Sequence, residues 1–177
     1  MKAFFWANLL VLPTIAEQAP PAEPLPLRDP RFHYTLSKPS GLASARTRTL
    51  WVKPVRNSQA AQQIPLTGPA AEDPTANIVV RDVNFDGQPD LMITSDRGNV
   101  NSQYSYWLYN AGTKRFVINS AMSKALGGYR IKFDKGTRRI STVSRYSCCE
   151  HETRVYTFQQ GSLKLVTSHT TKTVAKP

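Results

Sequence analysis

Cysteine is almost missing from this chain: only Cys148 and Cys149 occur, and they are adjacent. Neighbours in sequence cannot staple distant segments, so a disulfide-framework fold is excluded. His151 lies close to them, but no second Cys/His pair completes a tetrahedral zinc set. Histidine is scarce too. His33, His151 and His169 are isolated, and no motif joins any of them to a Ser or Asp. The chain therefore offers no nucleophile–base constellation and is not expected to be an enzyme. Sustained helical periodicity is absent outside the first residues, and no exact internal repeat is visible, so a regular multi-blade propeller is not demonstrated. The longest apolar stretch, Ala3 to Leu12, is interrupted by Asn8 and is too short to span a bilayer.

Acidic residues are few, 12 Asp and Glu against 23 Lys and Arg, for a net charge of +11. That balance favours acidic partners. The positives are scattered, however: Arg46, Arg48, Lys53 and Arg56 in one stretch, Lys132, Lys135, Arg138 and Arg139 in another. No run of five like charges, RNA-binding signature or zinc-finger spacing occurs, so a nucleic-acid partner is not expected.

What is present begins with a leader. Lys2, the short apolar core and small Thr14 and Ala16 before a cleavage point read as a signal peptide over residues 1–16. No cysteine follows it, so no lipid-attachment signal and no stable membrane anchor are expected, and the destination is periplasmic or secreted. An oxidising compartment permits a strained vicinal disulfide between Cys148 and Cys149, with two free thiols or an intermolecular bridge as alternatives. Residues 17–40 hold six of the 13 prolines and read as a linker or N-terminal arm, in which Phe32, Tyr34 and Leu36 alternate as a short edge strand would. Residues 41–170 form the main domain and 171–177 a tail.

Within the domain the pattern is of short strands and frequent turns. Thr49–Val55, Ile78–Arg81, Leu91–Thr94, Tyr104–Tyr109, Arg115–Ile118, Arg154–Phe158 and Ser162–Ser168 are strand-like. Asn110-Ala111-Gly112 and Gln160-Gly161 make hairpin turns, and Gly68 to Thr75 reads as a loop. Tyr129, Ile131 and Phe133 alternate with Arg130 and Lys132, and Ile140, Val143 and the cysteine pair fall on one long strand. At most one short helix is expected, near Ser120–Leu126. The fold class is all-β: an antiparallel meander, propeller-like or sandwich.

The strongest chemical signal is Asp82-Val-Asn84-Phe-Asp86-Gly87-Gln88-Pro89-Asp90. Oxygen side chains at alternate positions point around one hard cation, and Gly87 permits the bend that would bring the Gln88 carbonyl to it. Position 12 of a helix–loop–helix calcium site, a bidentate Glu, is Ile93 here, and the flanks are strands. The expectation is a strand–loop–strand Ca²⁺ site formed by Asp82, Asn84, Asp86, Gln88 and Asp90, structural rather than catalytic; a metal-free turn rich in Asp, Asn and Gly is the alternative.

The segments DVNFDGQPDLMI, GNVNSQYSYWLYN and KRF, followed by Cys148-Cys149-Glu150-His151 and Gly161 to Leu165, resemble a group of exported Gram-negative proteins. These are the calcium-binding immunity proteins of the bacterial-killing type IV secretion system, related to periplasmic i-type lysozyme inhibitors. The resemblance spans roughly residues 75–167. It implies a propeller-like β fold and a partner that is a peptidoglycan hydrolase or lysozyme-like effector, blocked by a loop that enters its cleft. The inhibitors use Ser-Gly-x-Tyr there; Leu126-Gly127-Gly128-Tyr129 matches Gly and Tyr but not Ser. Gly127, Gly128 and Tyr129 are thus the candidate partner-binding residues, while alternation with Ile131 and Phe133 equally permits Tyr129 to be a core aromatic. A calcium-stabilised module that binds cell-wall glycan, or serves only as structure, is the competing reading.

Overall fold

The computed structural model describes residues 23–42, 45–56 and 59–172; the expected leader lies outside them. Alternation of apolar and polar residues dictates the first sheet. Its strands are β1 (Glu23–Pro24), β2 (Phe32–Leu36), β3 (Thr47–Pro54) and β4 (Gln62–Thr67), antiparallel and in chain order. Phe32, Tyr34 and Leu36 point inward with Leu50, Val52, Ile64 and Leu66. β4 carries Pro65 opposite Thr49 and lies at the sheet edge, where a missing N–H costs no ladder bond. Residues 23–36 fall within the span read as an arm, yet they supply β1, β2 and buried Leu25. The strand expected from the alternation of Phe32, Tyr34 and Leu36 is present, but it lies between β1 and β3 rather than at the sheet edge.

Between the first two sheets, residues 68–75 form helical turns rather than a plain loop. α1 (Pro69–Glu72) and α2 (Pro74–Asn77) each open on a proline, which needs no partner for its nitrogen there. Asp73 caps α2 by accepting the Ala76 N–H at 3.2 Å.

The second sheet is the meander β5 (Ile78–Arg81), β6 (Asp90–Arg97), β7 (Ser102–Asn110) and β8 (Arg115–Ile118). Both its faces are covered. Leu91, Ile93, Trp107 and Tyr109 join the core shared with the first sheet, while Met92, Tyr104, Tyr106 and Leu108 join a second core. The continuous apolar runs of β6 and β7 have this cause: a strand buried on two faces cannot alternate.

The third sheet closes that second core. It follows α3 (Ser120–Ala125), the helix expected there, which Asn119 caps by accepting the Met122 N–H at 2.9 Å. Its strands are β9 (Arg130–Asp134), β10 (Arg139–Arg145), β11 (Glu150–Gln159) and β12 (Ser162–Lys172). Ile131, Phe133, Ile140, Tyr156 and Phe158 pack against fully buried Tyr106, whose hydroxyl donates to the Leu126 carbonyl at 3.0 Å. The structure is thus the expected all-β antiparallel meander, as three successive four-stranded sheets packed face to face. The cysteines are not on a long strand with Ile140 and Val143. β10 ends at Arg145 and the pair occupies the turn to β11. β12 runs to Lys172, into the span read as a tail.

Candidate functional site

The Asp-rich loop joins β5 to β6, whose register sets Arg81 opposite Asp90. Its apolar residues anchor it: Val83 and Phe85 are buried in the second core. Phe85 (φ 63°) and Gly87 (φ 85°) both take left-handed backbone, which curls the chain on itself. The curl brings three of the five candidate side chains together. Asp82 accepts the N–H groups of Asp86 at 3.2 Å and Gly87 at 3.0 Å. Asn84 Oδ1 also accepts from the Asp86 N–H, at 3.2 Å, and Asn84 Nδ2 donates to Asp86 Oδ2 at 2.9 Å. Asp86 Oδ1 accepts the Gln88 N–H at 2.7 Å.

The other two side chains face elsewhere. Asp90 is completely buried and accepts two backbone N–H groups, from Val83 at 3.0 Å and from Tyr109 at 2.8 Å. The Gln88 side chain accepts from Arg31 at 2.8 Å, which leaves only its carbonyl for the role expected of it. Burial pushes the Asp90 carboxyl up to about 7, against its two N–H donors, and the charges of Asp86 and Asp82 push it in the same direction as burial. The Asp90 carboxyl therefore feels the other two carboxylates of this loop. Among the described residues, no group of three His, Cys, Asp or Glu side chains is arranged to hold a metal ion. The donors available are the Asp82 and Asp86 carboxylates and the Asn84 amide oxygen, a hard oxygen set of the kind Ca²⁺ takes.

An ion pair that sequence reasoning missed supports the loop from the first sheet. Arg31 binds buried Asp29 at 2.8 Å and donates to the Pro89 carbonyl at 2.7 Å. Tyr34 donates to the same carboxylate at 3.2 Å. The Asp29-x-Arg31 spacing was the available signal, but it lay in the proline-rich span set aside as an arm.

The Gly127-Gly128-Tyr129 turn lies between α3 and β9. It is stitched on both sides: Gly128 and Ser102 exchange backbone bonds at 2.9 and 3.0 Å, and the Tyr129 N–H donates to the Val143 carbonyl at 2.7 Å. Gly128 has φ 140°, and a Cβ there would stand 2.6 Å from the Val143 oxygen. Glycine is required by this close approach of three strands, not by the shape of a free loop. Tyr129 does not join Ile131 and Phe133 in the core. It precedes the first residue of β9 and is 52% exposed, its ring 5.8 Å from the Arg130 guanidinium.

Cys148 and Cys149 lie in an open turn, with Sγ atoms 2.7 Å apart and no bond between them. The facing Cys148 thiol holds Cys149 above its usual range. Beside them Tyr146 is 59% exposed, yet its hydroxyl donates to Glu152, which also accepts from Arg154 and Ser168 at 2.8 Å each.

No family model and no curated protein matches the chain. Among solved structures, that of a Xanthomonas type IV secretion system related protein is similar, with 17% identity and a TM-score of 0.61. The match covers 89% of this chain and 84% of that one. At such identity the likeness is one of fold.

Proposed function

We propose that this chain is an exported, calcium-binding immunity protein that blocks a peptidoglycan hydrolase of the lysozyme-like kind. The observation that carries the reading is Tyr129: a half-exposed aromatic on a turn whose backbone is bonded to strands on both sides. A rigid aromatic with a polar tip loses little entropy when it enters a cleft built for sugar, and it both stacks and hydrogen-bonds there. The relation of a structural neighbour to a type IV secretion system supports the setting. A charge of +11 supports an acidic partner, such as the carboxylates of a glycoside hydrolase.

Calcium in this reading is structural. Asp82, Asn84 and Asp86 would hold it, with the Gln88 carbonyl as a further donor, while Asp90 braces the loop through its two backbone N–H bonds. The charge of the ion would relieve the repulsion among the three carboxylates. The vicinal cysteines would serve the turn between β10 and β11, as thiols or as an oxidised pair.

Clearance of a peptidoglycan suspension by a panel of muramidases, with and without the purified protein, tests the proposal. Stoichiometric inhibition of one of them, lost in Tyr129→Ala, is the expected result. Retention of the protein on peptidoglycan sacculi without inhibition of any hydrolase would favour the glycan-binding module instead.

A further inference from the structure

A cleft of about 380 Å³ opens where the first and second sheets meet, within the size range of small-molecule sites. Its walls are flat and apolar. Phe32 and Tyr109 meet edge-on with centroids 5.7 Å apart, Pro54 closes one side, and the Arg31 guanidinium lies 4.2 Å from the Tyr109 centroid. These walls are held before any ligand arrives. Arg31 is fixed by Asp29, Gln88 and Pro89, and the Tyr109 N–H by Asp90.

The charges around the cleft are unequal. Arg31 is neutralised by Asp29, with which it forms an ion pair at 2.8 Å. Arg56 and Lys114, which complete the lining, are exposed cations with no ion-pair partner among the described residues, and no carboxylate lines the cleft. Two uncompensated cations above aromatic walls disfavour a cationic guest. A neutral polyol would leave the cations unpaired and wet apolar walls unmatched.

We infer that this cleft is a binding site for a small organic anion with a flat apolar body, the class of the aromatic carboxylates. The body lies along Tyr109 and the Arg31 plane, and the carboxylate meets Arg56 and Lys114. None of these residues belongs to the Tyr129 turn, so the site stands whether or not the chain inhibits a hydrolase.

Calorimetric titration of the full-length protein with 2-naphthoate tests the inference, with 2-naphthalenemethanol as the neutral probe of the same shape. Saturable one-to-one binding is expected, weakened roughly tenfold for the alcohol and again for the double variant Arg56→Glu/Lys114→Glu. Ring-proton shifts on binding should fall on Phe32 and Tyr109. Absence of saturation, equal affinity for acid and alcohol, or shifts confined to other aromatics would overturn it. The reversed residues are exposed, and the milder Arg56→Gln/Lys114→Gln pair, expected to bind with intermediate affinity, provides a second reading if the reversal unsettles the fold.

Discussion

Replacing Asp90 by Ala should cost more stability than replacing any other acidic residue of its loop, and should do so with or without calcium. The carboxylate is fully buried and receives the Val83 N–H at 3.0 Å and the Tyr109 N–H at 2.8 Å. The deletion strands two buried backbone donors at about 1–3 kcal/mol each, and release of a carboxyl that burial holds up at about 7 offsets part of that, so about 2–4 kcal/mol should be lost. Asp90→Asn keeps one acceptor but turns an amide N–H toward a backbone N–H, and should lose about 2–3 kcal/mol. Asp86 differs because its bonds are local and partly exposed. Asp86→Ala should cost under about 1 kcal/mol in chelator, yet abolish the stabilisation that calcium adds, about 2.7 kcal/mol at a hundredfold excess over Kd. Urea unfolding followed by tryptophan fluorescence, in chelator and in calcium, measures all three variants. A loss below about 1 kcal/mol for Asp90→Ala in chelator would refute the buried double acceptor. Equal losses for Asp86→Ala in the two buffers would refute the ion.

Tyr129→Ala should weaken hydrolase inhibition by roughly thirtyfold or more, as loss of a binding hot spot does, while the melting temperature stays near that of the parent; surviving inhibition would place the contact elsewhere. Gly128→Ala should destabilise by about 2 kcal/mol or more, because its Cβ meets the Val143 carbonyl at 2.6 Å with φ at 140°. Gly127→Ala should cost less, since its Cβ meets only the movable end of the Gln103 side chain; chemical denaturation of both variants checks the order. For Asp29, burial pushes the carboxyl up, but its bonds from Arg31 and Tyr34 outweigh that and hold it below its usual value. Its ionised form is therefore the native one. Its contribution is complete above about pH 4 and is lost as pH falls through the lowered folded value, so Asp29→Asn should flatten the acid limb of stability against pH.

Much of the fold was legible because it rests on local chemistry. The hairpins at Asn110–Gly112 and Gln160–Gly161 and the helix after Asn119 follow from turn and cap residues. The doubly apolar runs Leu91-Met92-Ile93 and Tyr106-Trp107-Leu108 held a further signal, since only a middle sheet buries both faces. β4 was not legible: Gln62–Thr67 has two apolar positions and a proline, and only an edge position tolerates it. Tyr129 could not be settled from its alternation with Ile131. A period of two says nothing about where a strand starts, and here Gly128 turns the chain just before β9. The side-chain directions of Asp90 and Gln88 were equally hidden, because they depend on Val83, Tyr109 and Arg31, which approach only in the folded chain.

Strand β7 relates the two candidate regions physically. At its start Ser102 exchanges backbone bonds with Gly128, next to the exposed tyrosine. Near its end the Tyr109 N–H is held by Asp90, at the end of the Asp-rich loop. Seven residues separate these clamps, roughly 23 Å along an extended strand. An ion held in the loop would act at the end of β7 opposite to the one that positions the glycine turn. The loop also grips both cores, through Val83 and Phe85 on one side and through Gln88 and Pro89 to Arg31 on the other. The Asp-rich loop and the glycine turn are thus both anchored to the middle sheet, whose inner strands β6 and β7 pack into both cores.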